Sequence, residues 1–175
     1  MSTSPYTNAA RVRDLCIFAM LGTVMLCSKL LMEALPNVHL LGMLTVAYTA
    51  VYRTRALIPI YIYVFLNGLI AGFNLWWMPY LYIWSVLWGL TMLLPRRMPR
   101  VASCIVYPLL CGVHGFAFGA LYAPAQALMF GFDAAKTLAW IAAGLPFDLI
   151  HGISNTVMGL LAYPLTVLLR RLSKS

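Results

Sequence analysis

Acidic residues are nearly missing from this sequence. Asp and Glu number 4 in 175 residues, and all charged residues together make up 9%. Soluble domains carry about a quarter charged residues, so the scarcity weighs heavily against a soluble enzyme. A disordered basic tail fares no better, because 63% of the chain is hydrophobic and disorder needs low hydrophobicity. Cysteine is also sparse. Cys16, Cys27, Cys104 and Cys111 lie in or beside apolar runs with no C-x-x-C spacing. They read as small buried hydrophobes, not as a disulfide framework or a zinc site. Lipidation motifs are lacking. The N-terminus does not read as a cleavable signal either. Its first apolar run is long enough to cross a bilayer and ends on Ser28, Lys29 and Glu33, not on a small-residue cleavage pattern.

What the sequence has is apolar length. Mean hydropathy is +0.87, and a 19.5 kDa globule has too little interior to hide that much apolar surface. The chain reads as one all-α integral membrane domain, residues 1–175, with six transmembrane helices near residues 15–32, 38–52, 56–73, 75–94, 101–129 and 146–170. A helix needs about 20 residues to cross the hydrocarbon. The second run is therefore short, and must thin the bilayer, snorkel its ends or sit behind neighbours. Pro124 is where the fifth span could bend. Gly144-Leu145-Pro146 reads as a break, since proline suits the first turn of a new helix. Residues 134–143 then form a short outer segment, or else one long bent helix runs on from Lys136.

The 12 basic residues against 4 acidic ones give a net charge of +8, but no continuous basic surface of the kind nucleic acid requires. They fall in clusters instead. Arg11, Arg13, Arg53, Arg55, Arg96, Arg97, Arg100, Arg170, Arg171 and Lys174 all land on one side of the six-span arrangement, with Lys29 and Lys136 on the other. The positive-inside rule then puts both termini in the cytoplasm of a multi-pass cell-membrane protein.

Polar residues inside a bilayer are costly and usually face a cavity or the protein interior. Asp148, His151 and Asn155 follow at i, i+3 and i+7 and share one helical face in the outer half of the last span. They make a candidate ligand stripe, or a network that only packs helices. His114, Phe118, Tyr122 and Gln126 stand four apart on span five. Asn67 lies toward the outer end of span three, and Asn37 and His39 in the first outer loop. The turn from Phe73 to Trp84 includes Asn74, Trp76, Trp77 and Tyr80. It reads as an interfacial aromatic belt or as the wall of a site for a flat, ring-containing ligand. Lys29 and Glu33 at i, i+4 read as a surface ion pair. Asp148, His151 and Ser154 lack a strained-turn nucleophile signature; Asp148 and His151 at i, i+3, with His114 from another helix, could ligate a transition metal, but no third ligand motif of known spacing accompanies them.

Three stretches carry a resemblance: Leu35-Pro36-Asn37-Val38-His39-Leu40-Leu41; Gly72-Phe73-Asn74-Leu75-Trp76-Trp77-Met78-Pro79-Tyr80-Leu81-Tyr82; and Gly144-Leu145-Pro146-Phe147-Asp148-Leu149-Ile150-His151-Gly152-Ile153-Ser154-Asn155. With the span count, they make the chain similar to vitamin-type substrate-binding S components of energy-coupling factor (ECF) transporters. The resemblance implies capture of a vitamin or related micronutrient at the outer face. It implies a transmembrane coupling subunit and two cytosolic ATPases as partners, with no catalysis and no cofactor on this chain. The absence of a G-x-x-x-x-G-K-[ST] loop agrees. The family's A-x-x-x-A docking face on span one would correspond to Ala19 and Thr23, with Gly22 beside them; Thr23 departs from that pattern. The substrate-binding candidates are thus Asp148, His151, Asn155, Trp76, Trp77, Tyr80, Asn74, Asn67, Gln126 and His39. The alternatives are a structural or assembly membrane protein and a stand-alone secondary carrier.

Overall fold

In a computed structural model, residues 5–173 are described, with side chains from residue 12 onward. Arg11, as a side chain, and Lys174 therefore lie outside the described residues. Among the described residues every regular element is helical: α1 (Pro5–Leu31), α2 (Leu41–Tyr52), α3 (Leu57–Ala71), α4 (Tyr80–Met92), α5 (Arg100–Phe116), α6 (Phe118–Phe130), α7 (Ala134–Gly159) and α8 (Ala162–Leu172). A chain this apolar must satisfy its backbone internally, and helices do so within one segment. Among the described residues, four helical stretches are long and apolar enough to cross a membrane: Val12–Leu31, Leu41–Ala71, Arg100–Phe130 and Ala134–Gly159. This is the make-up of a membrane protein.

The stretch Leu41–Ala71 is composite. Arg53 adopts φ 55°, a left-handed conformation rare outside glycine, and a 3-10 turn, Arg53–Ala56, follows. The chain reverses there. Tyr48 and Tyr52 of α2 meet Leu21 and Phe18 of α1 in descending order, whereas Arg55 and Pro59 meet Asp14 and Gly22 in ascending order. α2 thus runs antiparallel to α1, and α3 parallel to it.

The short second run has a clear explanation. α2 is 12 residues, about 18 Å at 1.5 Å per residue, and is buried from Leu41 to Ala50. α1, α4, α5 and α8 surround it. A helix that is hydrophobic all round belongs in a core, and α2 is that core helix.

Two expected breaks move. Pro124 sits inside α6 without ending it, and the interruption falls at Ala117 instead. There Asp148 Oδ1 accepts the Gly119 N–H at 2.9 Å, the group a continuous helix would aim at the Gly115 carbonyl. A side chain inserted into the i→i−4 ladder is a recognised cause of a kink. Gly144-Leu145-Pro146 is likewise no break, because α7 runs unbroken from Ala134 to Gly159 with Pro146 inside. Residues 134–143 therefore belong to the same helix as Asp148. The chain instead breaks at Leu160–Leu161, before α8. Pro164 explains this, since its ring collides with the carbonyl four residues back, that of Leu160.

The tightest helix pair is α5 against α7. A Cβ on Gly115 would lie 2.8 Å from the Gly152 Cα, and one on Gly159 would lie 2.7 Å from the Pro108 Cα. Small residues let backbones approach this closely where lipid supplies no hydrophobic drive. The other face of α7 shows Leu149, Ile153 and Val157 outward.

Candidate functional site: a histidine–aromatic cavity

α7 presents Asp148, His151, Gly152, Asn155 and Gly159 inward. α5 and α6 bring His114 and Phe118 to the same level, α4 brings Tyr80 and Trp84, and α3 brings Tyr63. The connection after α1 crosses above them and carries His39. Of these residues His39, Tyr63, Tyr80, Trp84, Phe118 and His151 line a cavity of about 210 Å³. Lys29 and Glu33, paired at 3.3 Å, stand at its mouth with residues 35–38. The buried side chains of Tyr63, Trp84 and His151 form its floor.

The floor is a closed set of ring contacts. His39 packs edge-on against His151, with centroids 4.6 Å apart, and against Trp84 at 5.9 Å. Phe118 touches His151 at 4.5 Å, Trp84 at 6.2 Å and His114 at 6.1 Å. Tyr80 stacks parallel to Trp84 at 6.3 Å. The connection is held down from below, since Ser154 Oγ donates to the Asn37 carbonyl at 2.8 Å. Asn37 itself has φ 61°, a left-handed conformation that asparagine tolerates better than most residues.

This cluster leaves polar atoms bare. His39 Nδ1, Trp84 Nε1, His151 Nε2, His114 Nδ1, Thr45 Oγ1 and both amide atoms of Asn155 are buried and find no hydrogen-bond partner among the described residues. Native interiors leave few such groups, because each costs about 1–3 kcal/mol. His114 Nε2 faces the Ile83 carbonyl at 3.1 Å. A carbonyl only accepts, so Nε2 carries the hydrogen and Nδ1 of the neutral ring is a bare acceptor. Trp84 Nε1 can only donate. Of the residues with unpartnered atoms, His39, Trp84 and His151 line the cavity. No group of three or more His, Cys, Asp or Glu among the described residues could hold a metal ion.

Of the residues proposed from sequence, His39, His151 and Tyr80 line the cavity. Asn155 lies one turn deeper, against Gly42 and Gly115. Asp148 does not line it; its carboxylate is engaged by the Gly119 amide, and a Cβ at Gly119 would lie 2.3 Å from Asp148 Oδ2. The aromatic turn is mostly a brace. Trp77 Nε1 donates to the Val64 carbonyl at 2.8 Å, and its ring packs on Phe73 at 4.9 Å. The Trp76 carbonyl accepts from the Tyr122 hydroxyl. Asn74 is exposed, with its amide 3.5 Å from the Ala71 carbonyl. Asn67 is buried within α3, and Gln126 is half-buried on α6, both away from the cavity. Sequence reasoning missed Tyr63 as a lining residue. Phe118, in the four-residue stripe of span five, and Trp84, at the end of the aromatic turn, were singled out but not placed among the binding candidates.

On α1, Ala19 and Thr23 are exposed, and the Thr23 hydroxyl donates to the Ala19 carbonyl at 2.9 Å. Gly22 faces the other way, with Pro59 and Ile62 of α3 within 3 Å of where its Cβ would be. No family model, no curated protein and no solved structure matches the chain.

Proposed function

We propose that the chain is the substrate-binding S component of an ECF transporter, capturing a small vitamin-like molecule in the histidine–aromatic cavity. On this reading it crosses the cell membrane six times with both termini inside. A coupling subunit and two ATPases complete the importer, and ATP is hydrolysed on those partners, not here.

The observation that carries the reading is the cavity lining, where the unpartnered ring nitrogens of His39, Trp84 and His151 lie among aromatic walls. Ligand sites have this make-up: apolar walls and a few convergent polar groups. Size narrows the ligand. Drug-sized pockets run from about 300 to 1,000 Å³, and this cavity is about 210 Å³, which suits a one- or two-ring heterocycle better than a flavin, folate or cobalamin. Such a ring would accept from Trp84 Nε1, meet the imidazoles of His39 and His151, and stack on Phe118 or Tyr80. Among the described residues no carboxylate other than the mouth's Glu33 lines the cavity, so the ligand's ring end is expected to carry no positive charge.

The reversal at Arg53–Ala56 supports separate second and third spans. Exposed Ala19 and Thr23 support α1 as the coupling-subunit face, with Gly22 serving α3 instead. For Asp148 a packing role is favoured, because its carboxylate completes the α5–α6 junction.

Extraction of the purified protein followed by mass spectrometry tests the proposal. The expected result is a heteroaromatic compound in near-stoichiometric amount, lost in His151→Ala. No bound compound, together with no binding across a panel of heteroaromatic vitamins and nucleobases, would overturn it.

A further inference from the structure

At the end of the bundle opposite the cavity, Arg53, Arg96, Arg97 and Arg170 converge on a recess of about 640 Å³. No carboxylate among the described residues lines it. Two of these arginines are held by main-chain carbonyls instead. Arg53 donates to Met92 at 2.6 Å and to Leu94 at 3.2 Å, while Arg170 donates to Arg96 at 3.0 Å and to Ala50 at 3.3 Å. These carbonyls, those of Met92 and Ala50 in the last turns of α4 and α2 and those of Leu94 and Arg96 in the connection after α4, orient the cations but leave their net charge in place. Arg53 Nε is buried with no partner among the described residues, and the Arg96 and Arg97 side chains are exposed beside it.

A second observation concerns what lies next to the recess. Val51, Tyr52 and Ser173 also border a neighbouring groove of about 760 Å³. The groove lies between α1 and α8, which both flank α2, and Ile17, Met20, Leu21 and Leu169 form its apolar wall. Arg55 at its rim is already neutralised by Asp14 at 2.6 Å. The uncompensated charge and the apolar groove thus adjoin, at the end where the sequence collects its arginines.

We infer that this end holds one anionic phospholipid, with its phosphate in the arginine recess and an acyl chain in the α1–α8 groove. A free phosphate answers the charge but leaves the groove open. A zwitterionic lipid fills the groove but leaves the charge unanswered. Only an anionic lipid matches both, and clustered Arg beside a membrane-spanning segment is a known attractor for such headgroups. The inference does not depend on the proposed ligand of the cavity.

The test is thermal stability of the delipidated full chain in detergent, titrated separately with phosphatidylglycerol, phosphatidylcholine and inorganic phosphate. Phosphatidylglycerol is expected to raise the melting temperature saturably, well beyond phosphatidylcholine, and phosphate is expected to have little effect. The double variant Arg96→Gln/Arg97→Gln should need about tenfold more phosphatidylglycerol for half the effect. Met20→Trp, which fills the groove, should weaken the lipid response as well. Equal responses to the two lipids, or an equal response to phosphate, would contradict the inference. So would an unchanged midpoint in the double variant. Should that variant fail to fold, native mass spectrometry of the unmodified protein decides: preferential retention of phosphatidylglycerol supports the site, and its absence overturns it.

Discussion

Asp148 is the residue whose meaning changed most. In sequence it stands out as a carboxylate placed well inside an apolar run, which marks a candidate ligand contact. In the fold its Oδ1 completes the hydrogen bonding of Gly119, 29 residues away. No sequence pattern signals a partner that is a backbone amide on another helix. Asp148→Asn can still offer an oxygen to that N–H and should leave the melting temperature nearly unchanged. Asp148→Ala strands a buried donor and should cost about 1–3 kcal/mol of stability, read as a lower melting temperature in detergent. If Asn were as damaging as Ala, the carboxylate's charge and not its hydrogen bond would be what matters. His39 and His151 were legible because imidazoles stand out in an apolar chain. Tyr63 was not, and Trp84 and Phe118 were seen without being assigned, because an aromatic side chain in a hydrophobic run looks the same whether it fills a core or lines a cavity.

Among the elements, the helices were legible and their interruptions were not. Apolar run length located α1 to α4 closely. The expected breaks at Pro124 and Pro146 failed because neighbouring helices can satisfy the groups a proline frees. The actual breaks arise from Asp148 acting on the α5–α6 ladder and from Pro164 acting on Leu160. The α5–α7 seam carries its own prediction. Gly115→Ala would set a methyl 2.8 Å from the Gly152 backbone, and forced overpacking costs about 1–3 kcal/mol. Gly144→Ala on the same hairpin meets nothing within 4 Å. Alanine is the better helix former by about 1 kcal/mol, so this control should be neutral or slightly stabilising. Thermal unfolding of both variants in one detergent reads the contrast, and equal effects would argue against a close-packed seam.

For the whole molecule, the arginine clusters predict both termini in the cytoplasm, and orientation is directly measurable. In a cysteine-free background, a membrane-impermeant maleimide applied to intact cells should label Asn37→Cys and Lys136→Cys, and should label Arg97→Cys only after the cells are opened. Labelling of Arg97→Cys in intact cells would invert the proposed orientation. The proposed function rests on the histidine–aromatic cavity as a ligand site. The most direct test is equilibrium binding of the compound recovered from the purified protein, measured on four forms of the chain. Trp84→Phe keeps a ring but deletes the indole N–H, and His151→Ala removes one wall of the floor; each should weaken binding about tenfold or more, roughly 1.4 kcal/mol or greater. Trp76→Phe, whose carbonyl still accepts from Tyr122, should bind like the unaltered protein. Full-affinity binding by Trp84→Phe and His151→Ala, with loss in Trp76→Phe, would contradict the placement of the site in the histidine–aromatic cavity.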